Sequence, residues 1–132
     1  MNRIHEFIDK AGIFYLATAD GKQPKLRPLG AHIDYNGQEY FTVGDFKNVY
    51  RQMVENPLVE IVAYTADDRK WLRYTGKVRF EDNEEVKEKI LEELPHLRQA
   101  YSPESGRKMM IFTLEDSTAR ILDMAGNEEI LF

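Results

Sequence analysis

In residues 70–80, KWLRYTGKVRF, two kinds of side chain alternate from Trp71 to Phe80. The even positions are apolar or small, whereas the odd positions carry Trp71, three cations and a threonine. Successive side chains of a strand point to opposite faces, so this period of two predicts a strand whose even face covers a core. The only tryptophan then lies on the other face, near Arg73. That face fits a solvent-exposed cation–π pair, a subunit interface or a platform for an aromatic ligand carrying negative charge.

Turn signals divide the rest of the chain into short segments of the same kind. Asn36–Gly37 is the strongest short hairpin signal, and Asp20–Gly21 is a second turn. The predicted strands cover residues 13–18, 24–35, 39–43, 58–65, 70–80, 109–114, 118–124 and 128–132. Helical spacing predicts three helices, over residues 2–12, 46–57 and 83–94, the second capped by Asp45 and ended by Asn56–Pro57. These short strands, with about three helices at the rim, predict a mainly β fold, a small barrel.

Length and composition exclude several classes of protein. Residues 1–132 fit one domain, and a hydrophobic content of 42% supports a real core. The net charge of −5 is concentrated in an acidic run at residues 81–93, so nucleic-acid binding is not expected, whereas a small anionic ligand is compatible with the rest. There is no cysteine for a disulfide or a thiolate site. No apolar run has the roughly 20 residues of a membrane helix or resembles a signal peptide, so a cytoplasmic location without membrane partners is expected.

Two segments are candidates for binding. Arg27 directly precedes Pro28, which cannot donate to a strand ladder and therefore indicates a strand edge with backbone groups free for a planar ligand. The alternative is an edge strand carrying a solvated arginine. Lys47 and Asn48 lie in the first turn of the second helix, where free N–H groups and the helix dipole favour a phosphate. Asp45 as the cap would compete for the same N–H groups.

The histidines give no sign of a metal centre. His5, His32 and His96 have no metal-ligand spacing and no neighbouring cysteine or carboxylate cluster, so no metal is expected and a structural role is favoured for each. No Ser–His–Asp pattern is present, and no residue is predicted to be catalytic.

Taken in order, several segments resemble the pyridoxamine 5'-phosphate oxidase-like family of FMN-binding split barrels. They are FYLATADGKQPKLRPLG, YFTVGDFKNVYRQMVENPLVEI, WLRYTGKVRF and AYSPESG. The chain is most similar to the short members related to nitroimidazole-resistance proteins. The resemblance implies a split β-barrel of the Greek-key type, built as a homodimer with two FMN molecules at the subunit interface.

The resemblance also implies roles for particular residues. Residues 27–30 would line the flavin ring, Phe41 and Thr42 would lie along the ring and the ribityl chain, and Lys47 and Asn48 would hold the phosphate. Trp71 occupies a place where the oxidases proper carry a flavin-contacting glutamine. We further predict that the odd face of this strand, with Trp71 and Arg73, points into the dimer interface and helps to wall the pocket. The site residues so predicted are Arg27, Pro28, Leu29, Gly30, Phe41, Thr42, Lys47, Asn48, Trp71 and Arg73.

One departure from the family limits the activity that the resemblance implies. The oxidases proper carry a basic, arginine-containing segment at the C-terminus, and residues 126–132, GNEEILF, are acidic and apolar. Oxidation of pyridoxamine phosphate is therefore not expected. Three interpretations are open: an FMN-dependent oxidoreductase acting on a small molecule such as a nitroaromatic or quinone-like acceptor, a flavin-binding protein for storage or sensing, and an interaction domain without cofactor.

Overall fold

The computed structural model describes residues 2–132, where the chain forms eight strands and four short helices. Met1, the first residue of the predicted domain, lies outside the described residues. The helices are α1 (Arg3–Ala11), α2 (Asn48–Glu55), α3 (Glu84–Glu93) and α4 (Leu97–Ala100). The strands are β1 (Phe14–Asp20), β2 (Gln23–Leu29), β3 (His32–Tyr35), β4 (Gln38–Gly44), β5 (Leu58–Thr65), β6 (Lys70–Glu81), β7 (Met109–Asp123) and β8 (Glu128–Ile130). No helix in this part of the chain has the length and hydropathy needed to cross a bilayer.

The strands form one antiparallel sheet that must curl on itself. Its order is β2-β1-β5-β6-β7-β4-β3, with β8 paired to β7. The two end strands, β2 and β3, are consecutive in the chain and joined only by Gly30 and Ala31. Strands about 4.8 Å apart would separate the ends of a flat sheet by roughly 29 Å, whereas this connection spans at most roughly 11 Å. The sheet therefore closes into a barrel that is split between β2 and β3.

The inside of the barrel is packed with apolar side chains. The largest fully buried ones include Phe14, Leu16, Phe41, Ile61, Leu72 and Phe112. Phe41 lies at the centre, with its ring 5.2 Å from that of Phe14 and 5.5 Å from that of Phe112. A second cluster packs α3 against β3 and β7. The predicted mainly β fold is confirmed.

Two sequence patterns predicted the local structure correctly. The even face of β6 is buried, from Leu72 through Tyr74 to Val78, and its odd face points away from the core. Asn36 and Gly37 form the turn between β3 and β4, both with positive φ, as a tight hairpin turn requires.

Two strand predictions were wrong in their bounds. Residues 24–35 are not one strand, because β2 ends at Leu29 and β3 starts at the other edge of the sheet. The strands predicted over residues 109–114 and 118–124 are not separate, because one strand, β7, runs from Met109 to Asp123. Its pairing with β6 shifts by one residue opposite Gly76, where Asp116 adopts φ 49°. The polar residues at this point form a β-bulge, which inserts one residue and lets the strand continue.

The start of the second helix was also predicted wrongly. Asp45 does not cap α2, because its carboxylate accepts a 2.9 Å hydrogen bond from the backbone N–H of Lys108, beside the start of β7. Lys47 is the N-cap, and no side chain caps the helix there. Phe46 lies outside the helix, exposed, with the guanidinium of Arg107 4.1 Å from its ring centroid. The helix predicted over residues 46–57 therefore begins two residues later, at Asn48.

Candidate functional site

A cleft of about 440 Å³ opens where the end of β2 faces β4 and the first turn of α2. It is lined by Arg27, Pro28, Leu29, Thr42, Val43, Gly44, Lys47, Asn48, Val49 and Tyr101. Six of the ten predicted site residues are in this lining, although they come from three separate segments of the chain. The volume is within the range of about 300–1,000 Å³ that is typical of small-molecule sites.

Arg27 places a half-buried cation at one side of the cleft. Its guanidinium donates to the backbone oxygen of Leu16 at 3.0 Å, to Thr18 Oγ1 at 2.7 Å and to Gln52 Oε1 at 2.8 Å. All three acceptors are neutral, and no carboxylate within residues 2–132 forms a salt bridge with it. Burial lowers the pKa of Arg27, yet an arginine stays protonated at physiological pH. The charge is therefore held in place without being neutralised.

Thr18 and Gln52 hold this arginine, and neither was predicted. Both side chains are buried, and the Thr18 hydroxyl donates a 2.6 Å hydrogen bond to Gln52 Oε1. The sequence contains a signal for each. Thr18 follows Phe14 and Leu16 on the inward face of β1, and Gln52 lies three residues after Val49 on the buried face of α2. A polar residue on an apolar stripe needs a hydrogen-bond partner, and here the partner is Arg27.

The N-terminus of α2 supplies donors at another side of the cleft. Since Asp45 is bound elsewhere, the first-turn N–H groups of Asn48 and Val49 have no protein acceptor in the described part of the chain. Lys47 is exposed and its ammonium lies 5.4 Å from the ring centroid of Phe46, with no salt bridge among residues 2–132. A free helix N-terminus beside a free ammonium is an anion site.

Gly44 and Tyr101 shape the wall between these two ends. A Cβ on Gly44 would lie 2.4 Å from a ring carbon of Phe46 and 3.0 Å from the Tyr101 hydroxyl, so only glycine permits both side chains to approach. Burial, and then the charge of Asp45, raise the pKa of the Tyr101 phenol, which stays protonated. Tyr101 belongs to the AYSPESG segment, but its part in the lining was not predicted.

Four predicted site residues do not line the cleft. Gly30 follows β2 and is exposed, and the Phe41 side chain is fully buried in the barrel core. Trp71 and Arg73 lie on the outer face of β6. The Arg73 guanidinium is bound to Glu60, with Nη2 2.7 Å and Nε 3.1 Å from Oε1. In the described chain no cation–π contact joins it to Trp71.

The outer face of the sheet around Trp71 carries several apolar side chains beside the Arg73–Glu60 ion pair. Tyr64 pairs with Trp71 across β5 and β6, and Tyr15 and Leu26 are exposed on the neighbouring strands. A shallow cavity of about 510 Å³ lies on this face, lined by Tyr15, Ala17, Leu26, Glu60 and Val62. An apolar surface of this kind is typical of a contact with another protein or subunit.

A second cavity, about 470 Å³ beside α3, is less suited to an anion. Its lining includes the carboxylates of Glu81, Asp82, Glu84 and Glu88. Three cations, Lys87, Arg107 and Lys108, face these four carboxylates, and the Lys87 ammonium is already 2.9 Å from Asp82. The cleft at Arg27 and Lys47 is therefore the better candidate for a negatively charged ligand.

Comparison with known proteins gives the family. The family model described as Pyridoxamine 5'-phosphate oxidase matches residues 1–120. The chain belongs to the pyridoxamine 5'-phosphate oxidase-like family. No curated protein matches the chain.

Solved structures of similar proteins agree with the split-barrel fold. A NimC/NimA family protein from Clostridium acetobutylicum is 37% identical, with a TM-score of 0.86 over 97% of this chain and 88% of that one. A pyridoxamine 5'-phosphate oxidase-related, FMN binding protein from Nostoc punctiforme is 15% identical, with a TM-score of 0.62 over 98% and 95%. A heme binding protein from Mycobacterium smegmatis is 16% identical, with a TM-score of 0.70 over 94% of this chain and 54% of that one. The last two establish a shared fold alone.

Proposed function

We propose that this split barrel is a dimeric FMN-binding oxidoreductase that acts on a small molecule, with a nitroaromatic or quinone-like compound as the acceptor. One observation carries the proposal: a single cleft combines an uncompensated arginine with a free helix N-terminus and its lysine. Family membership and the FMN-binding relative from Nostoc punctiforme support the same cofactor.

The residues of the cleft fit the chemical groups of FMN. Its phosphate is a dianion, which suits the Lys47 ammonium and the N–H groups of Asn48 and Val49. Its ring is flat and has a polar edge, which suits the Arg27 guanidinium and the strand-edge backbone of residues 27–29. The lining contains no histidine, methionine or cysteine, the side chains that most often bind heme iron, and Tyr101 is its only residue of a type that can do so. The chemistry of the donors therefore favours FMN over heme here.

When bound, FMN would supply the redox chemistry by taking electrons from a donor and passing them to an acceptor. The protein contributes binding and electrostatics. The positive charge of Arg27 favours extra negative charge on a neighbouring ring and so favours its reduced form. The protonated Tyr101 hydroxyl offers a hydrogen-bond donor toward a molecule in the cleft.

A dimer would complete this site. The cleft is open to solvent on one side in a single chain, and the sheet carries an apolar outer face with Leu26 and Trp71. A partner seated on that face would exclude water from the ring and would bring Trp71 and Arg73 of one subunit toward the site of the other. In a two-fold dimer the same patch on both chains is covered.

The absorbance spectrum of the purified untagged protein tests the proposal. We expect the yellow flavin spectrum with a stoichiometry of one FMN per chain after reconstitution. NAD(P)H should bleach it without oxygen, and a nitroaromatic or a quinone should restore it. A flavin that binds but is never reduced would indicate storage or sensing. A chain that binds no flavin would contradict the proposal and favour an interaction domain.

A further inference from the structure

Two histidines, two carboxylates and the N-terminal helix meet at a place outside the cleft. His5 and Asp9 are one helical turn apart on α1, His32 is the first residue of β3, and Glu39 is on β4. The ring centroids of His5 and His32 lie 4.7 Å apart. The site joins residues that are far apart in the sequence, and none of the four lines the cleft.

The two rings lie between a buried carboxylate and an exposed one. Both Nδ1 atoms face Glu39, at 3.1 Å for His5 and 2.6 Å for His32, and the Glu39 side chain is only 2% exposed. Both Nε2 atoms face Asp9, at 3.3 Å for His5 and 3.0 Å for His32, and the Asp9 side chain is 63% exposed. Asn2 Nδ2 donates a further hydrogen bond to Glu39 at 2.9 Å. One side of the pair is therefore closed, and the other is open to solvent.

When both histidines are neutral, their two N–H groups are too few for the four contacts between ring nitrogens and carboxylate oxygens. Each of the four nitrogen–carboxylate contacts needs a positive centre between its atoms, because carboxylate oxygens only accept. Two neutral imidazoles supply two N–H groups, and the buried Glu39 takes both. The two Nε2 lone pairs then face the Asp9 oxygens. Either two additional protons or one divalent cation would make that side attractive.

We propose that His5 Nε2, His32 Nε2 and the Asp9 carboxylate bind a divalent transition metal such as Zn²⁺. Their ligand atoms all lie within 4.8 Å of one another. Zinc bonds of about 2.0–2.1 Å in tetrahedral geometry place neighbouring ligands roughly 3.3 Å apart, close to the two Nε2–Asp9 distances. Two imidazoles and a carboxylate are a ligand set that zinc accepts, with the exposed side of Asp9 leaving the fourth position for water.

Glu39, which is not one of the proposed ligands, gives separate support for a metal site at His5, His32 and Asp9. Histidines that bind a metal usually donate their other N–H to a carboxylate, which fixes the ring and the tautomer. Here a single buried carboxylate accepts from both Nδ1 atoms. The metal would link α1 to the β3–β4 hairpin and would stabilise that contact.

Titration of the metal-free, untagged protein with Co²⁺ and Zn²⁺ tests the proposal. We expect one metal per chain, visible d–d absorption bands with Co²⁺, and a Zn²⁺-dependent rise in Tm. Asp9→Asn, His5→Gln and His32→Gln should each weaken binding by about tenfold or more, and Glu39→Gln by about ten- to a hundredfold. His96→Gln, at an exposed histidine, is the matched control and should bind as the wild type does.

Substitutions at the more buried His5, His32 and Glu39 could prevent folding. Asp9 is exposed, so Asp9→Asn tests the site even if those variants do not fold. Circular dichroism identifies which variants are folded. Binding that is lost in Asp9→Asn and kept in His96→Gln supports the site. Wild-type binding in Asp9→Asn, or no Co²⁺ bands at submillimolar metal, would overturn it and leave the two histidines as structural hydrogen-bond partners of Glu39 and Asp9.

Discussion

Arg27 and Gln52 are joined by a 2.8 Å hydrogen bond from the guanidinium Nη2 to Oε1, although 25 residues separate them in the chain. Gln52 comes from the buried face of α2 and Arg27 from the edge strand β2. The bond therefore fixes the cation of the cleft to the same helix whose N-terminus forms the anion site. A ligand in the cleft would therefore contact α2 and Arg27 in a fixed relative position.

Replacing Gln52 by leucine should weaken both the fold and the site. Gln52→Leu removes the acceptor of Arg27 and of the Thr18 hydroxyl, and leaving such groups unsatisfied costs about 1–3 kcal/mol. Urea denaturation should show this loss, and an FMN titration should show weaker binding. Gln99→Leu, at an exposed glutamine on α4, is the control. A Gln52→Leu protein with wild-type stability and affinity would mean that Arg27 needs no such support.

Lys47 should make the protein prefer FMN to riboflavin. A charge-assisted phosphate contact is worth about 1.5–3 kcal/mol, or roughly ten- to a hundredfold in affinity. Lys47→Ala should therefore bind FMN more weakly by that factor and riboflavin about as before, as measured by quenching of flavin fluorescence. Lys22→Ala, in the exposed turn before β2, should leave both affinities unchanged. Equal affinities of the wild type for the two flavins would contradict the phosphate site.

Features encoded by neighbouring residues could be predicted from the sequence. The alternation of residues 70–80 depends only on the geometry of one strand, and the Asn36–Gly37 turn depends only on two residues with positive φ. Both were correct. The family resemblance named residues from separate segments, and six of them line one cleft although no local pattern connects those segments. Their role in binding a cofactor stays a prediction.

Contacts between distant segments could not be predicted in this way. Asp45 was assigned to the nearest helix, but its carboxylate binds the backbone of Lys108. His5 and His32 were judged by their spacing in the sequence, and the fold places both against Glu39. Helix capping and ligand spacing consider only residues that are close in the sequence. For Asp45, His5 and His32, the hydrogen-bond partner comes from a distant segment of the chain.

Asp68 should contribute stability that disappears in acid. Its carboxylate accepts from the Thr65 hydroxyl and, at 3.0 Å, from the Lys10 ammonium, and these bonds lower its pKa from 3.8 to about 2. Since the folded pKa is below the unfolded one, the contribution is complete above about pH 5 and is lost as the pH falls toward about 2.

The comparison of Asp68→Asn with the wild type measures that contribution. The difference in free energy of unfolding should be constant near neutral pH and should shrink as the pH falls through 4 toward about 2. Asp67→Asn, at an exposed position in the same turn, should not reproduce this dependence. A difference that does not change with pH would show that the Lys10 and Thr65 contacts do not depend on the carboxylate charge.

Leu26→Asp should dissociate the proposed dimer. Leu26 is 67% exposed on the apolar outer face and lies with Tyr15 and Val62 around one shallow cavity. A carboxylate there would be buried without a partner in an assembly, which is strongly unfavourable. Light scattering should give a dimer for the wild type and a monomer for the variant. Met124→Asp, at a similarly exposed apolar residue beyond β7, is the control. A wild type that is already monomeric at micromolar concentration would rule out an interfacial site.

Trp71 should report on FMN directly, because it is the only tryptophan in the chain. It lies on the outer face of β6 beside Tyr64, and Arg73 is occupied by Glu60 instead of forming a cation–π pair with it. If a partner subunit brings this face to the flavin, FMN should strongly quench the tryptophan fluorescence. Trp71→Ala should then weaken FMN binding by more than the roughly 0.5–1 kcal/mol of an exposed aromatic contact. Tyr64→Ala separates a general loss of the apolar face from a specific effect of the indole, and should reduce affinity less. Unchanged fluorescence together with normal binding by Trp71→Ala would make Trp71 a surface residue and remove it from the site.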